Sequence, residues 1–317
     1  MEKENAVLIV GPTGIGKTDL SVKLAKKMNT EIISADSMQI YKYMDIGTAK
    51  IKTDEMDGIF HHMIDIVNPD ENFSVADFQK KALYNITTIN EKNKIPIIVG
   101  GSGLYINSLI YDLDFATVAN STTLREKYLN ILDEKGLDFL YDKLKNLDYV
   151  YAQKISKNNK HRIMRALEII ESTGKKISNN DNNFRKENEN LNFIIIGLTQ
   201  NREKLYEKIN KRVDIMLENG LIEEVKNLLA RYPNRDNISY KAIGYKEVIK
   251  YVDKKISLDE MKENLKKNSR RFAKRQFTWF NADKRIKWFD VNENKDDLIS
   301  KVLNEINIKF GRKYEPA

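Results

Sequence analysis

The sequence predicts an α/β protein built on a parallel sheet, and three observations predict it. Continuous apolar runs at residues 6–10 and 95–99 suit strands buried on both faces. Those runs alternate with segments whose apolar residues repeat at helical spacing. A glycine-rich stretch joins the first strand to the first helix, at the carboxyl end of a strand where open α/β sheets hold their ligands.

The first strand at 6–10 passes into the stretch 11–18, after which Leu20, Leu24 and Met28 recur on one helical face. Residues 31–36 read as a second short strand that ends on the carboxylate of Asp36. Ser74 with Asp77 makes a capping-box start, and Val75, Phe78, Ala82, Ile86 and Ile89 continue at helical spacing. A buried strand at 95–99 closes on Gly100 and Gly101. Past residue 112 the pattern turns helical: Leu137, Leu140, Leu144 and Leu147 share one face, and Ile163, Leu167 and Ile170 another. Residues 178–192, rich in asparagine and charge, read as a mobile loop. A strand signal returns at 192–198, and a helix follows with Leu205, Ile209, Val213 and Met216 on one face and Gly220 as its C′ stop. A longer helix starts at Ser257, with Glu260 completing a capping box, and runs to Phe280. The economical organisation is a core from 1–112 and 193–317, with C-terminal helices, interrupted by an all-helical insertion at 113–192.

Composition bounds the function. The 317 residues carry 54 basic and 46 acidic side chains, a net charge of +8, and are 41% hydrophobic, which is enough for a core and excludes a disordered polyelectrolyte. The positive excess permits a nucleic-acid partner without requiring one. No apolar run approaches the ~18 residues of a membrane span, and no signal-peptide pattern opens the chain, so a cytoplasmic setting without membrane contact is expected. The sequence holds no cysteine, which removes disulfides and thiolate chemistry together. His61 and His62 resemble a zinc pair only superficially, because His161 is the sole further histidine and any metal set would need carboxylates.

Gly11, Pro12, Thr13, Gly14, Ile15, Gly16, Lys17 and Thr18 match the phosphate-loop pattern, with a strand before and a helix after as its mechanism needs. Successive amides form an anion nest, and the helix N-terminus adds partial positive charge. Lys17 brings a cation to the terminal phosphate, and Thr18 is placed to hold Mg²⁺. The core is therefore P-loop NTPase-like, and nucleotide (ATP) binding is the default inference. Against it, the strand at 95–99 ends in Gly-Gly where an acid would usually hold the metal's water. The available carboxylate is Asp36, which could hold Mg²⁺ through water, accept a proton, or simply cap the next segment.

At this point the sequence resembles the tRNA dimethylallyltransferases, also called isopentenyltransferases. Besides the phosphate loop, the matching blocks are Ser34 to Tyr41, Met44 to Lys50, His61 to Asp65, Phe73 to Phe78 and Gly100 to Tyr105. Later blocks are Arg165 to Glu168 with Thr173-Gly174, Arg212 to Met216, Gly220 to Val225, Gly244-Tyr245 with Glu247, and Ala273 to Trp279. They fall in family order from about residue 8 to 280.

The resemblance implies transfer of a dimethylallyl group from dimethylallyl diphosphate to the exocyclic amine of the adenosine 3′ of a tRNA anticodon. It implies a phosphate loop that grips the donor's diphosphate rather than ATP, with Asp36 as base and Arg212 facing the diphosphate. The chemistry agrees with the residues read on their own. An adenine amine is a poor nucleophile, so a positioned base should take its proton as the C–N bond forms. Charge grows on the departing diphosphate, which Lys17, Thr18 with Mg²⁺ and the loop amides stabilise. The base must leave its stack to be reached, and family match gives Asp36, Ser37, Met38 and Gln39 the extruded adenosine, with Ser102 at the tunnel between donor and acceptor.

Lys267, Arg270, Arg271, Lys274 and Arg275 form a stripe at helical spacing, which without context is a solvated face and in an RNA-modifying enzyme a phosphate contact. His161, Arg162 and Arg165 form a second cluster, and the family places tRNA contacts there and near Arg125. Tyr41, Tyr105, Tyr240, Tyr245 and Trp279 read as ordinary packing. The expectation is a monomeric, Mg²⁺-dependent tRNA prenyltransferase whose partner is the anticodon stem-loop. Two rivals stay open, a P-loop small-molecule or nucleoside kinase and a nucleotide-sensing RNA-binding protein without catalysis.

Overall fold

The computed structural model describes residues 3–111, 113, 122–180, 186–292 and 294–315. In chain order the elements are β1 (Glu4–Val10), α1 (Lys17–Met28), β2 (Ile32–Ser34), β3 (His61–His62), α2 (Val75–Glu91), β4 (Ile97–Gly100) and α3 (Gly103–Ile110). Then come α4 (Thr122–Leu147), α5 (Tyr149–Gln153), α6 (Lys160–Thr173), β5 (Leu191–Thr199), α7 (Arg202–Glu218) and α8 (Leu221–Arg231). The chain closes with α9 (Tyr245–Val252), α10 (Leu258–Phe280), β6 (Lys287–Asp290) and α11 (Lys295–Phe310).

Six strands pair in the order β3-β2-β4-β1-β5-β6, and every pairing is parallel. The continuous apolar runs make the central strands: Ala6 through Val10 of β1 are fully buried between the helix layers. Val10 pairs with Gly100 on one side and Gly197 on the other, so the phosphate loop leaves the sheet level with the end of β4, while β5 runs on to Thr199. Because β4 lies between β1 and β2, the segments after those three strands gather at one edge. The expected capping box of α2 is present, with Ser74 accepting from the Asp77 amide and Asp77 from the Ser74 amide. At Ser257 the hydroxyl accepts the Glu260 amide at 3.2 Å.

The chain divides into two compact units, Met1–Ile110 with Glu189–Ala317, and Tyr111–Asn188. In the first, the sheet core packs against α1, α7 and α11, and a second apolar cluster gathers Ile40, Tyr41 and Met44 with α8, α9 and α10. In the second, Leu140 and Leu144 of α4 meet Ile163, Met164 and Leu167 of α6.

Several local expectations change. Residues 178–180 belong to a 3-10 turn, where Asp148 accepts the Ser178 amide, while 191 and 192 already belong to β5; residues 181–185 of that expected loop lie outside the described residues. α4 is interrupted at Gly136, whose φ of 78° is non-helical, and Leu147 at its end is 39% exposed rather than buried with Leu140 and Leu144. Trp279 is 44% exposed, unlike Tyr41, Tyr105, Tyr240 and Tyr245, which are buried.

Candidate active site

The phosphate loop curls because Gly14 and Gly16 take φ of 78° and 100°, conformations that a Cβ disfavours. Ile15 is 2% exposed and sinks into the sheet core, and Pro12 is also buried, so these two anchor the loop. Thr13 donates its amide to Gln276 Oε1 at 2.8 Å, and Gln276 Nε2 donates to Gly101 O at 3.0 Å. One buried glutamine on α10 thereby ties the loop to the turn after β4. Sequence reasoning assigned Gln276 no role; its signal was a neutral amide on the buried side of a basic helix.

Lys17 opens α1 and donates from Nζ to the loop carbonyls of Gly11 (3.0 Å) and Pro12 (2.9 Å). Burial lowers its pKa to about 8, against the raising influence of Asp36 and with a smaller lowering from Arg212. Arg212 on α7 is likewise lowered by burial and supported by Asp36, and its Nη1 lies 3.4 Å from Thr13 Oγ1. Two desolvated cations thus share one carboxylate beside a nest of amides, an arrangement that favours a polyanion. Thr18 is exposed beside them.

Asp36 follows β2 by a short step, since the strand ends at Ser34 rather than on the carboxylate. Its Oδ1 accepts the amides of Met38 (2.9 Å) and Gln39 (3.4 Å). No hydrogen bond to Oδ2 is found among the described residues. The capping and functional readings are therefore compatible: one oxygen holds the turn, the other is available. Ser102 Oγ accepts the Ser37 amide at 3.0 Å and donates to Ser37 Oγ at 3.2 Å, joining the ends of β2 and β4. Gln39 accepts from Ser34 Oγ at 3.3 Å and reaches toward the carbonyls of Thr48 and Ala49.

Two cavities open here. The first, about 400 Å³, is lined by Gly14, Gly16, Lys17, Thr18, Asp19, Gln39 and His61 among others. The second, about 270 Å³, is lined by Ser37, Met38, Ser102, Phe272 and Arg275 and by apolar groups of α7. Thr13, Asp36, Thr48 and Arg212 line both, so they stand at the junction.

Of the basic stripe on α10, Arg275 lines the second cavity and, with Lys267, Arg271 and Lys274, is exposed, whereas Arg270 donates to Asn210 at 2.6 Å. In the other unit, Arg125 and Arg165 both pair with the buried Glu168, at 2.9 and 3.2 Å, while His161 and Arg162 are exposed on α6. His61 Nδ1 bonds Ile59 O at 2.9 Å and His62 Nε2 bonds Glu31 at 2.7 Å.

Known proteins resemble this chain in sequence and in backbone. A family model described as IPP transferase matches residues 39–283. The tRNA dimethylallyltransferase of Clostridioides difficile strain 630 is 51% identical over 305 residues, 96% of this chain and 97% of that protein. That of Bacillus cereus strain AH187 is 48% identical, covering 99% of this chain and 98% of the relative. The crystal structure of a full-length tRNA isopentenylpyrophosphate transferase from Bacillus halodurans is 46% identical and matches at a TM-score of 0.74, over 97% of each chain. A eukaryotic dimethylallyltransferase structure, described as acting on tRNA, is 31% identical with a TM-score of 0.85, over 98% of this chain and 81% of that one. The family model spans well over half of this chain and these relatives cover nearly all of it, and the chain belongs to the IPP transferase family.

Proposed function

We propose that the protein transfers the dimethylallyl group of dimethylallyl diphosphate to the exocyclic amine of the adenosine 3′ of the anticodon in tRNA, releasing diphosphate. The observation that carries this reading is the junction: Asp36 and Arg212 line both a phosphate-loop cavity and a second, more apolar one. The first cavity takes the donor's diphosphate on the loop amides, Lys17 and Arg212. The second takes the extruded adenine among Ser37, Met38, Ser102 and Phe272. The amine nitrogen attacks the allylic carbon, the carbon–oxygen bond breaks with its electrons going to the diphosphate, and Asp36 accepts the amine proton.

Mg²⁺ fits the donor set. Thr18, Asp19 and Asp36 bring hard oxygen donors to the first cavity. Among the described residues no cluster of three or more His, Cys, Asp or Glu side chains is arranged as a metal site, so diphosphate and water would supply most of the ligands. Bound there, the ion would neutralise charge on the diphosphate. The residues offered to tRNA are Arg271, Lys274 and Arg275 in the first unit and, separately, Arg125, His161, Arg162 and Arg165 in the second. The protein would act as a monomer in the cytoplasm; among the described residues no helix is long and apolar enough to cross a membrane.

Incubation with labelled dimethylallyl diphosphate and unmodified tRNA, followed by nucleoside analysis, tests the reading; unalkylated adenosine with active phosphate transfer from ATP would refute it. Two quantitative outcomes follow from the geometry. With Lys17 titrating near pH 8, donor affinity falls as pH rises past that value, by up to about tenfold per pH unit, because only the protonated lysine neutralises the diphosphate. Lys17→Met removes that limb of the donor KM profile. In the RNA arm, Arg271→Ala with Lys274→Ala flattens the plot of log Kd for tRNA against log salt by about one for each phosphate that a side chain no longer neutralises.

A further inference from the structure

The segment 45–49, which borders both cavities at Thr48, has no regular structure of its own, yet one carboxylate holds its start. Glu224 on α8 accepts the amides of Asp45 (3.0 Å) and Ile46 (2.7 Å) on Oε2. Its Oε1 accepts the Gly47 amide (3.1 Å) and the Tyr245 hydroxyl (2.6 Å). Three consecutive amides form a nest for an anion, and the chain fills that nest with its own side chain. Tyr245, fully buried at the start of α9, seats its ring so closely against Gly47 that a Cβ there would lie 2.5 Å from Cε2. Burial and the Glu224 carboxylate both raise the Tyr245 pKa well above its ordinary value, so the hydroxyl stays a donor. Lys50 fastens the far end, donating to Tyr41 O at 2.8 Å, Asp45 Oδ1 at 2.6 Å and Asp65 Oδ1 at 2.5 Å.

What this clamp positions is the junction itself. Thr48 lines both cavities, Gly47 the second and Ala49 the first, and the carbonyls of Thr48 and Ala49 face Gln39. We infer that Glu224 and Tyr245 are positioning residues for the transfer: by clamping the 45–47 backbone they set the wall across which donor carbon and acceptor nitrogen meet. This rests on the functional reading above. Glu224 lines neither cavity and its two oxygens receive four donors, so it acts through the loop and not on substrate. A reacting pair displaced by about 1 Å loses rate on the order of 10²-fold, whereas the phosphate loop, with Lys17 at the start of α1, lies on other elements and is left in place.

The test uses Glu224→Gln, Tyr245→Phe and, as a control, Tyr240→Phe. Glu224→Gln turns an amide group toward backbone N–H donors. Tyr245→Phe keeps the ring on Gly47 and removes only its hydrogen bond. Tyr240 is buried in the same apolar cluster, but its hydroxyl serves Leu228 O and Tyr232 O, away from the loop. The expected result is a kcat for tRNA prenylation lowered about 10–100-fold in Glu224→Gln and several-fold in Tyr245→Phe, with the donor KM changed less than about threefold. Amide hydrogen exchange at Asp45, Ile46 and Gly47 accelerates in both, and in Tyr240→Phe neither kcat nor that exchange changes. Parent kcat in Glu224→Gln, or a loss that Tyr240→Phe reproduces at equal change in Tm, overturns the inference. Failure of the unsubstituted protein to prenylate tRNA would instead strike the functional reading, and the exchange measurement would still decide whether the clamp holds the loop.

Discussion

Asp36→Asn lowers kcat for tRNA prenylation by about 10²–10⁴-fold, the range for losing a positioned general base, while Kd for tRNA stays near that of the unsubstituted protein. Asparagine suits this test because of what Asp36 does structurally. Oδ1 accepts the Met38 and Gln39 amides, and an asparagine carbonyl can keep accepting them, so the turn that carries Ser37 survives. What is lost is a group able to take a proton, together with the negative charge that supports Lys17 and Arg212. The second loss moves the Lys17 pKa lower still, so the variant's donor KM should begin to rise at a lower pH. Single-turnover measurement with saturating donor isolates the first loss. Turnover within tenfold of the parent's under those conditions would remove Asp36 from proton transfer.

The phosphate loop and the central strands were legible because each depends on local pattern: an apolar run that alternation would have broken, and glycines spaced for a nest before a helix. Asp36 was legible as an acid near the carboxyl end of a strand, although β2 stops at Ser34 and a capped turn carries the carboxylate onward. β3 and β6 escaped because His61–His62 and Lys287–Asp290 are too short to show a period, and pairing with a neighbour makes them strands. Glu224 and Gln276 escaped for a different reason. On a helix a Glu or Gln reads as solvated surface, and only tertiary contact reveals that one gathers three amides and a tyrosine and the other ties the phosphate loop to Gly101. The blocks of family resemblance contained both residues without giving them work. The structure gives them a shared one, since each fastens an irregular segment bordering the cavities to a helix. Arg125 and Arg165 illustrate the same limit: their charges were visible, but their common partner Glu168 was not.

Lys17→Ala reduces kcat on the order of 10²–10³-fold and weakens donor binding, because one of two desolvated cations at the departing diphosphate is gone. Stability should move the other way. A lysine pKa lowered to about 8 means that folding disfavours its protonated form. At pH 7, below both the folded value and the ordinary one near 10.5, that cost is fully present; it fades as pH rises from about 8 to about 10.5. Removing the ammonium should therefore leave Tm equal to or above the parent's at pH 7, even as activity collapses, the pairing expected where a site holds charge for function at a cost in stability. Gly11 O and Pro12 O lose their donor in the variant, which limits the gain. The same position separates the two P-loop enzymes. Dimethylallyl diphosphate should shield Lys17 from an amine-acylating reagent at concentrations near its KM, whereas a kinase would show that shielding with ATP and transfer a phosphoryl group. Unchanged donor affinity and rate in Lys17→Ala, measured beside a Tm drop of several degrees, would make the lysine a structural tie of its own loop and leave Arg212 and the amides as the only grip on the diphosphate.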